Sequence, residues 1–282
     1  MYDVVIVGSG PAGVSAALYL KRAKKEILVI SRGNGALKKA DRIENYYGIE
    51  SITGDELYNT GIKQMKKLEI PIENDEVTNI SLEQHFTITT VNNEFDARSV
   101  IIATGTNRVT PNIKGLKDFE GRGVSYCAMC DAFFYKDKDV AVVGDGNYAI
   151  HEANQLKNVA NSVTILTNGN KIVENRDSAN FDIEEEKIKE FRGDNSIKEV
   201  EFNNNKSKKI DGVFIAIGTA TSTDLARKIG ALVKNNNIVV NEYMETTVKG
   251  LYACGDCTGG LLQVNKAVYE GAKAAVSIIL NK

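Results

Sequence analysis

The strongest constraint on this chain is Gly8-Ser9-Gly10-Pro11-Ala12-Gly13, which directly follows the apolar run Val4 to Val7. It directly precedes a helix-like series through Val14, Ala17, Leu18 and Ala23, and a second apolar run, Ile27 to Ile30, comes next. Strand, glycine turn, helix and strand form the setting in which Gly-x-Gly-x-x-Gly reads as a dinucleotide fingerprint. Gly8 allows the tight turn, Gly10 lets a pyrophosphate approach the backbone, and Gly13 lets the helix pack closely on the strand. The helix N-terminus then faces the phosphates with its positive end. After the second strand, where an acid for the ribose is expected, stand Ser31 and then Arg32. Ser31 can still hydrogen-bond a ribose, so conformity to the pattern is weakened and not lost.

The same grammar recurs. Asp139 to Val143 is a second apolar strand, followed by the turn Gly144-Asp145-Gly146-Asn147-Tyr148-Ala149, a helix, and the strand Val163 to Leu166. Ahead of it lies Tyr126-Cys127-Ala128-Met129-Cys130-Asp131. Two cysteines separated by two residues can close a disulfide within one turn, and helix-start N–H groups stabilise a thiolate there. The alternative is half of a zinc site, which needs two more ligands; the two histidines, His85 and His151, stand in unrelated contexts. A CxxC beside a βαβ pattern favours redox chemistry. Cys254-Gly255-Asp256-Cys257 is a second such spacing. It is either a partner disulfide, a four-cysteine zinc site with the first pair, or two compact buried residues; the last is preferred, since free cysteine behaves as a small hydrophobe.

At 282 residues the chain can hold two domains, and a formal charge of −2 argues against a general nucleic-acid binder. No apolar run approaches bilayer-spanning length. The chain opens on a strand and not on a basic, apolar leader, so a cytoplasmic location is expected. In that reducing setting a disulfide is more often catalytic than structural. Further along, a helix is expected over 54–68 with Thr53 or Asp55 as cap. A meander follows over 76–95 with a turn at Asn92-Asn93, with His85 at or near the surface. A buried strand then ends in Ala103-Thr104-Gly105, 111–115 is a hinge, and a helix over 263–280 closes the chain. The expected domains are 1–113 with 243–282, and 114–242.

Taken in order, these residues resemble the low-molecular-weight thioredoxin reductase family over essentially the whole chain. The likeness rests on Gly8 to Gly13, Glu44-Asn45, Ala103-Thr104-Gly105, Cys127-x-x-Cys130-Asp131, and Gly255-Asp256 with Gln263. The resemblance implies an α/β fold of two Rossmann-like, three-layer ββα domains, the second inserted in the first. It implies FAD held by Gly8, Gly10, Pro11, Ala12, Gly13, Ser31, Arg32, Leu37, Asn45, Val77, Ala103, Thr104, Gly105, Gly255, Asp256, Gln263 and Val264. Asp256 would meet the ribityl chain and the Gln263 region the flavin ring. Cys130 would be the cysteine nearer the flavin, Cys127 the one that attacks thioredoxin, and Asp131 the acid/base. A homodimer is also implied. Departures are Met129 where Thr is common, Ala132 for Gly, and Leu262 where an Arg normally precedes Gln263.

The second nucleotide site departs further. Family members that use NADPH carry a His-Arg-Arg-x-x-x-Arg stretch after the next strand, whose arginines grip a 2′-phosphate. Here the stretch is Thr167-Asn168-Gly169-Asn170-Lys171-Ile172-Val173, with no arginine before Arg176. Asp145 would set a carboxylate beside a pyrophosphate, a contact costing on the order of 1–4 kcal/mol. Tyr148 would add bulk on the phosphate-facing turn of the helix. The region is also short by a helix, and Asp177 to Asn180 is turn-like.

No NADPH is therefore expected, and the chain resembles the ferredoxin-dependent flavin thioredoxin reductases. Reduced ferredoxin would supply electrons and thioredoxin would receive them. Basic clusters suited to an acidic ferredoxin are Lys21, Arg22, Lys24 and Lys25, or Lys38, Lys39 and Arg42. A plainly solvated surface is the preferred reading of both clusters, because lysine is common on any exterior. The alternatives are an NAD(P)H-dependent reductase with an unusual site, a diflavin oxidoreductase, and a flavin redox sensor without turnover.

Overall fold

The computed structural model describes residues 1–33, 35–106, 111–174 and 176–281, with the side chain of Lys39 left aside. The chain begins with β1 (Tyr2–Val7), α1 (Pro11–Arg22) and β2 (Ile27–Ile30), as the glycine pattern requires. Val4 to Val7 and all of β2 are buried, the continuous apolar run of a parallel strand covered on both faces. α1 ends on Lys21 and Arg22, cations that suit the negative end of its dipole. α2 (Gly54–Lys67) starts at Thr53, whose hydroxyl accepts the Glu56 N–H while the Glu56 carboxylate accepts the Thr53 N–H. This reciprocal pair makes Thr53 the cap, not Asp55. β3 (Ile72–Glu73) follows, then the meander of β4 (Val77–Leu82), β5 (Phe86–Thr90) and β6 (Glu94–Ile102).

Next come β7 (Val124–Ser125), α3 (Ala128–Asp131), β8 (Asp139–Val143), α4 (Asn147–Lys157) and β9 (Ser162–Leu166). They are followed by β10 (Asp182–Glu184), β11 (Ile188–Gly193), β12 (Ile197–Phe202), β13 (Ser207–Lys209) and β14 (Gly212–Ile215). Between β9 and β10 the described residues hold a single 3-10 turn, Ser178–Asn180. The chain ends with α5 (Ser222–Lys228), the small hairpin β15 (Val233–Lys234) and β16 (Asn237–Ile238), β17 (Leu251–Ala253), and α6 (Val264–Ile279).

These elements form two compact units, Met1–Asn107 with Thr221–Lys282, and Arg108–Ala220. The return to the first unit falls at Thr221, ahead of the expected 243. The reason is visible in the hydrogen bonds: the Ser222 hydroxyl donates to Gly105 O at 2.8 Å, and Lys228 Nζ to Thr78 O at 3.0 Å. The first unit is built on a sheet in the order β3-β2-β1-β6-β5-β4, with β17 also paired to β6. β1 lies parallel to both β2 and β6, so the glycine turn leaves the centre of the sheet. α1 and α6 pack closely, because a Cβ on Gly271 would sit 2.1 Å from Ala12 O. The second unit is built on a parallel sheet β10-β9-β8-β14-β7 and an antiparallel sheet β11-β12-β13. Its core gathers Val143, Leu166, Phe191, Val200 and Val213. Among the described residues no helix is long and apolar enough to cross a membrane.

Candidate active site

The first glycine turn has the geometry its letters require. Gly8 has φ +112°, and a Cβ there would lie 2.4 Å from Ala103 O. A Cβ on Gly13 would lie 1.9 Å from Gly8 O, so only glycine lets α1 close onto the turn. At Gly10, by contrast, a Cβ would meet nothing within 4 Å. Gly10 caps α1 without a side-chain hydrogen bond, and no acidic residue stands in the first turn. The N–H groups at this end are therefore free of a local carboxylate. Ala103, Thr104 and Gly105 follow β6 directly, with Ala103 buried and Gly105 at φ +74°.

The C-terminal segment completes this cradle through a polar web that the sequence pattern did not reveal. The Gly255 N–H donates to Glu270 Oε2 at 2.9 Å, and Lys266 Nζ donates to Gly255 O at 2.7 Å. Thr258 Oγ1 bonds the same Glu270 oxygen at 2.8 Å and receives Lys266 at 2.8 Å. The turn carrying Asp256 is thus clamped by two residues one helical turn apart on α6. Burial raises the Asp256 carboxyl above the usual carboxylate range, with Lys266 opposing and Glu270 adding to the shift. Asn45 Nδ2 donates to Gln263 Oε1 at 3.0 Å, and Asn265 Nδ2 to Asn45 O at 3.2 Å. Two distant expected residues therefore meet directly, with Val264 opening α6 beside them.

The remaining expected contacts lie around β2. Ser31 Oγ bonds Ser9 Oγ at 2.7 Å, and Arg32 is held at 2.8 Å by the carboxylate of Glu76, itself 7% exposed. Burial raises Glu76, against the lowering effect of Arg32. Leu37 sits in a 3-10 turn whose carbonyl would meet a Gly54 Cβ at 1.7 Å, and Val77 is buried at the start of β4.

These residues fit a flavin dinucleotide. The open space at Gly10 is where a pyrophosphate needs room, and Thr104 Oγ1 is a fully buried hydroxyl oxygen without a partner among the described residues. Cys254 and Cys257 are free and fully buried. Burial pushes the Cys254 thiol well up and that of Cys257 to about 12, and the Cys257 Sγ donates to Cys254 O at 3.3 Å. Such thiols stay protonated and pack as small apolar groups.

In the second unit Cys127 and Cys130 are joined as a disulfide. Cys127 is the N-cap of α3 and is 4% exposed, whereas Cys130 is exposed. The Cys130 N–H points to Cys127 Sγ at 3.2 Å, the arrangement that stabilises a thiolate at that sulfur once the bond is reduced. Asp131 is fixed by the Ser125 hydroxyl, which donates to Oδ2 at 2.6 Å. Ser125 Oγ also accepts the Cys127 N–H at 3.1 Å. A residue not singled out from the sequence, Glu152 of α4, is 1% exposed and accepts the Ala128 N–H at 2.9 Å. It anchors the backbone between the two cysteines. Phe133 and Phe134, just beyond, are 81% and 68% exposed.

The second glycine turn keeps the packing of the first but not its opening. A Cβ on Gly144 would lie 2.2 Å from Ala216 O, and one on Gly146 would lie 3.4 Å from Gly218 O. The segment after β9 folds back on this turn: Asn170 Nδ2 donates to Asp145 Oδ2 at 2.9 Å, and the Val173 N–H to Asp145 O at 2.8 Å. Tyr148 is 1% exposed, among the largest fully buried side chains, so its bulk is packed within the fold.

A glycine cradle and a dithiol pair in a two-unit α/β chain define a disulfide oxidoreductase, and comparison with known proteins agrees. The family model for pyridine nucleotide-disulphide oxidoreductases matches residues 2–271. The chain is 34% identical to a thioredoxin reductase of Bacillus subtilis (strain 168), covering 99% of this chain and 94% of that one. Among solved structures it resembles the atypical thioredoxin reductase TRi from Desulfovibrio vulgaris Hildenborough, with a TM-score of 0.93 and 35% identity over 100% and 99% of the two chains. It also resembles a ferredoxin-flavin thioredoxin reductase from Clostridium acetobutylicum, with a TM-score of 0.73 and 34% identity over 99% and 97%. The chain belongs to the pyridine nucleotide-disulphide oxidoreductase family, within its low-molecular-weight thioredoxin reductases. Its fold is the flavin-binding oxidoreductase fold of that family, and Cys127–Cys130 is its redox disulfide.

Proposed function

We propose that this protein is a flavin-dependent thioredoxin-disulfide reductase driven by reduced ferredoxin, with no use of NADPH. The observation that carries the reading is the contrast between an open Gly10 and an Asp145 overlaid by its own chain at Asn170 and Val173. A pyridine nucleotide at the second turn would have to displace those bonds, meet a carboxylate, and do without an arginine pair. The name of the Clostridium acetobutylicum relative supplies the ferredoxin precedent. The basic end of α1, with Arg22 and Lys24 exposed, offers an acidic partner a docking face. The other cluster is less available, since Lys38 pairs with Asp55 and Arg42 with Glu44.

FAD, when bound by the first unit, would match one-electron donation to the two electrons a disulfide needs. The chain's own residues carry the rest. In the reduced pair a thiolate attacks the thioredoxin disulfide, forming a mixed disulfide and releasing one thioredoxin thiolate. The second cysteine then attacks the chain's own sulfur of that bond, which frees reduced thioredoxin and leaves Cys127–Cys130 oxidised. Asp131, steadied by Ser125, would hold the proton exchanged with the thiols, and the exposed Phe133 and Phe134 give a protein partner an apolar landing. The family resemblance further supports a homodimer, and the cysteine usage suits a reducing cytoplasm. The test is anaerobic: the purified yellow protein is mixed with NADPH, NADH or reduced ferredoxin while the flavin band is followed. Bleaching by ferredoxin alone, with thioredoxin reduced afterwards, is expected. Rapid bleaching by either nucleotide would sink the reading, and so would a colourless protein that cannot take up FAD.

A further inference from the structure

Three hydroxyls are linked at the ends of β1 and β2. Ser31 Oγ lies 2.7 Å from Ser9 Oγ, and Ser9 Oγ lies 2.9 Å from Tyr58 OH. Ser31 stands where a dinucleotide cradle normally carries the carboxylate that accepts a ribose 2′-hydroxyl proton. A carboxylate can only accept, whereas a hydroxyl both donates and accepts. The chain therefore has a proton to account for. Three hydroxyls bring three protons, the two links use two, and one is left for an outside acceptor. Ser31 Oγ already accepts the Gly33 N–H at 3.1 Å. Once Ser9 donates to it as well, both its lone pairs are filled and its own proton is the spare one. The phenol is the most acidic of the three, which favours the order Tyr58 to Ser9 to Ser31. Ser9, 3% exposed, has no recourse to water for its bonds.

Two carboxylates near this end of the cradle are already engaged by cations. Glu76 is spent on Arg32 at 2.8 Å, and Asp55 lies 3.7 Å from Lys38, whose ammonium also sits 4.7 Å from the centre of the Tyr58 ring. Arg32 remains half in solvent, at 58% exposure. We infer that the ribose end of this cradle is a hydrogen-bond donor: Ser31, positioned by Ser9 and Tyr58, donates to the adenosine 2′-oxygen. The site consequently accepts a 2′-oxygen that bears a phosphate as readily as a free hydroxyl. A carboxylate at this position would reject the phosphate by charge. The inference rests on the proposed flavin cradle but concerns its adenosine end alone.

The experiment compares 5′-AMP with adenosine 2′,5′-bisphosphate, which differ only at the 2′-oxygen, binding to apoprotein by calorimetry. The wild type should bind the bisphosphate at least as tightly as 5′-AMP. Ser31→Asp should turn this into a preference for 5′-AMP of about tenfold or more. Because an aspartate could disturb the turn, Ser31→Ala is measured with FAD and with FAD lacking the adenosine 2′-hydroxyl. The wild type should prefer FAD by about 3- to 10-fold, and Ser31→Ala should erase that preference. Tyr58→Phe should weaken the preference partway, whereas a merely structural role would weaken both ligands equally. A wild type that already rejects the bisphosphate tenfold, or a FAD preference untouched by Ser31→Ala, would overturn the inference. Failure to bind FAD with a normal bisphosphate result would sink the proposed function and leave this inference standing.

Discussion

Gly8 to Gly13 and Gly144 to Ala149 are two copies of one local solution, each joining a central parallel strand to a helix. In both, the first glycine is demanded by a carbonyl: Ala103 O at 2.4 Å from a Cβ on Gly8, and Ala216 O at 2.2 Å from one on Gly144. The copies part at the second glycine. Gly10 faces open space, while Gly146 faces Gly218 O and the turn is overlaid by Asn170 and Val173. The packing glycines maintain the fold in either case. What makes a binding site is the absence of anything on the phosphate side, and that depends on residues far from the glycines. The second unit carries the redox disulfide, at α3.

The largest test of this division of labour is at the cysteines. Cys127→Ser and Cys130→Ser should each lower thioredoxin turnover by about 10³-fold or more, because the second exchange, which closes the Cys127–Cys130 disulfide, can no longer take place. Flavin content should stay at the wild-type value, since the cradle belongs to the other unit. Absorbance spectra and a thioredoxin assay on the same samples would settle both halves. The variants also distinguish the two sulfurs. The assigned roles predict that Cys130→Ser still forms a mixed disulfide with thioredoxin through Cys127. Yet Cys127 is the buried residue and Cys130 the exposed one. Trapping through Cys130 in the Cys127→Ser variant, and not the converse, would exchange the roles.

A matched pair of substitutions probes the two turns directly. Gly10 and Gly146 both have negative φ, −70° and −106°, so alanine is unstrained at either. Gly10→Ala puts a methyl into the space left for a pyrophosphate and should weaken FAD binding by about 10- to 100-fold, the scale of a forced overpacking. The melting temperature of the apoprotein should stay where it was. Gly146→Ala meets only Gly218 O, at 3.4 Å, and should leave both flavin binding and thioredoxin turnover within about twofold. Equal losses from the two substitutions, read by flavin fluorescence and turnover, would erase the distinction between the cradles.

Much of this could be read from the sequence because it is local. The strand–turn–helix grammar set β1, α1 and β2, the cap candidates Thr53 and Asp55 marked the start of α2, and the CxxC spacing set the disulfide. What escaped depends on polar partners that meet only after folding. Glu152 reaches Ala128 from 24 positions away, and Glu270 reaches Gly255 from 15. Neither residue carries a local mark; only the i,i+4 spacing of Lys266 and Glu270 on one apolar helix hinted at a shared task. For Tyr148 the position in the turn was legible, but its complete burial was not, because that depends on the surrounding fold. The return at Thr221 likewise follows from Ser222 and Lys228 bonding back to Gly105 and Thr78.

The smallest expected effect concerns acid titration, where the two units should differ in sign. In the first unit burial raises Glu76 above its ordinary 4.5, so the folded state holds this proton more tightly than the unfolded chain. Its favourable contribution is complete below 4.5 and is lost as pH rises through the folded value. In the second unit Lys114 and Arg192, hydrogen-bonded to Glu190, hold it at about 2. Its contribution is present above 4.5 and is lost as pH falls towards 2. Each residue is replaced by glutamine and the melting temperature compared with wild type from pH 3 to 7. Glu76→Gln should improve relative to wild type as pH rises past 4.5, because the wild type must then ionise a buried acid. Glu190→Gln should worsen relative to wild type between pH 3 and 5, as the wild type gains its paired charge. The shifts should be on the order of 1–3 °C. Slopes of the same sign would mean that the buried carboxylate beside the first cradle is held by Arg32 more strongly than burial opposes it.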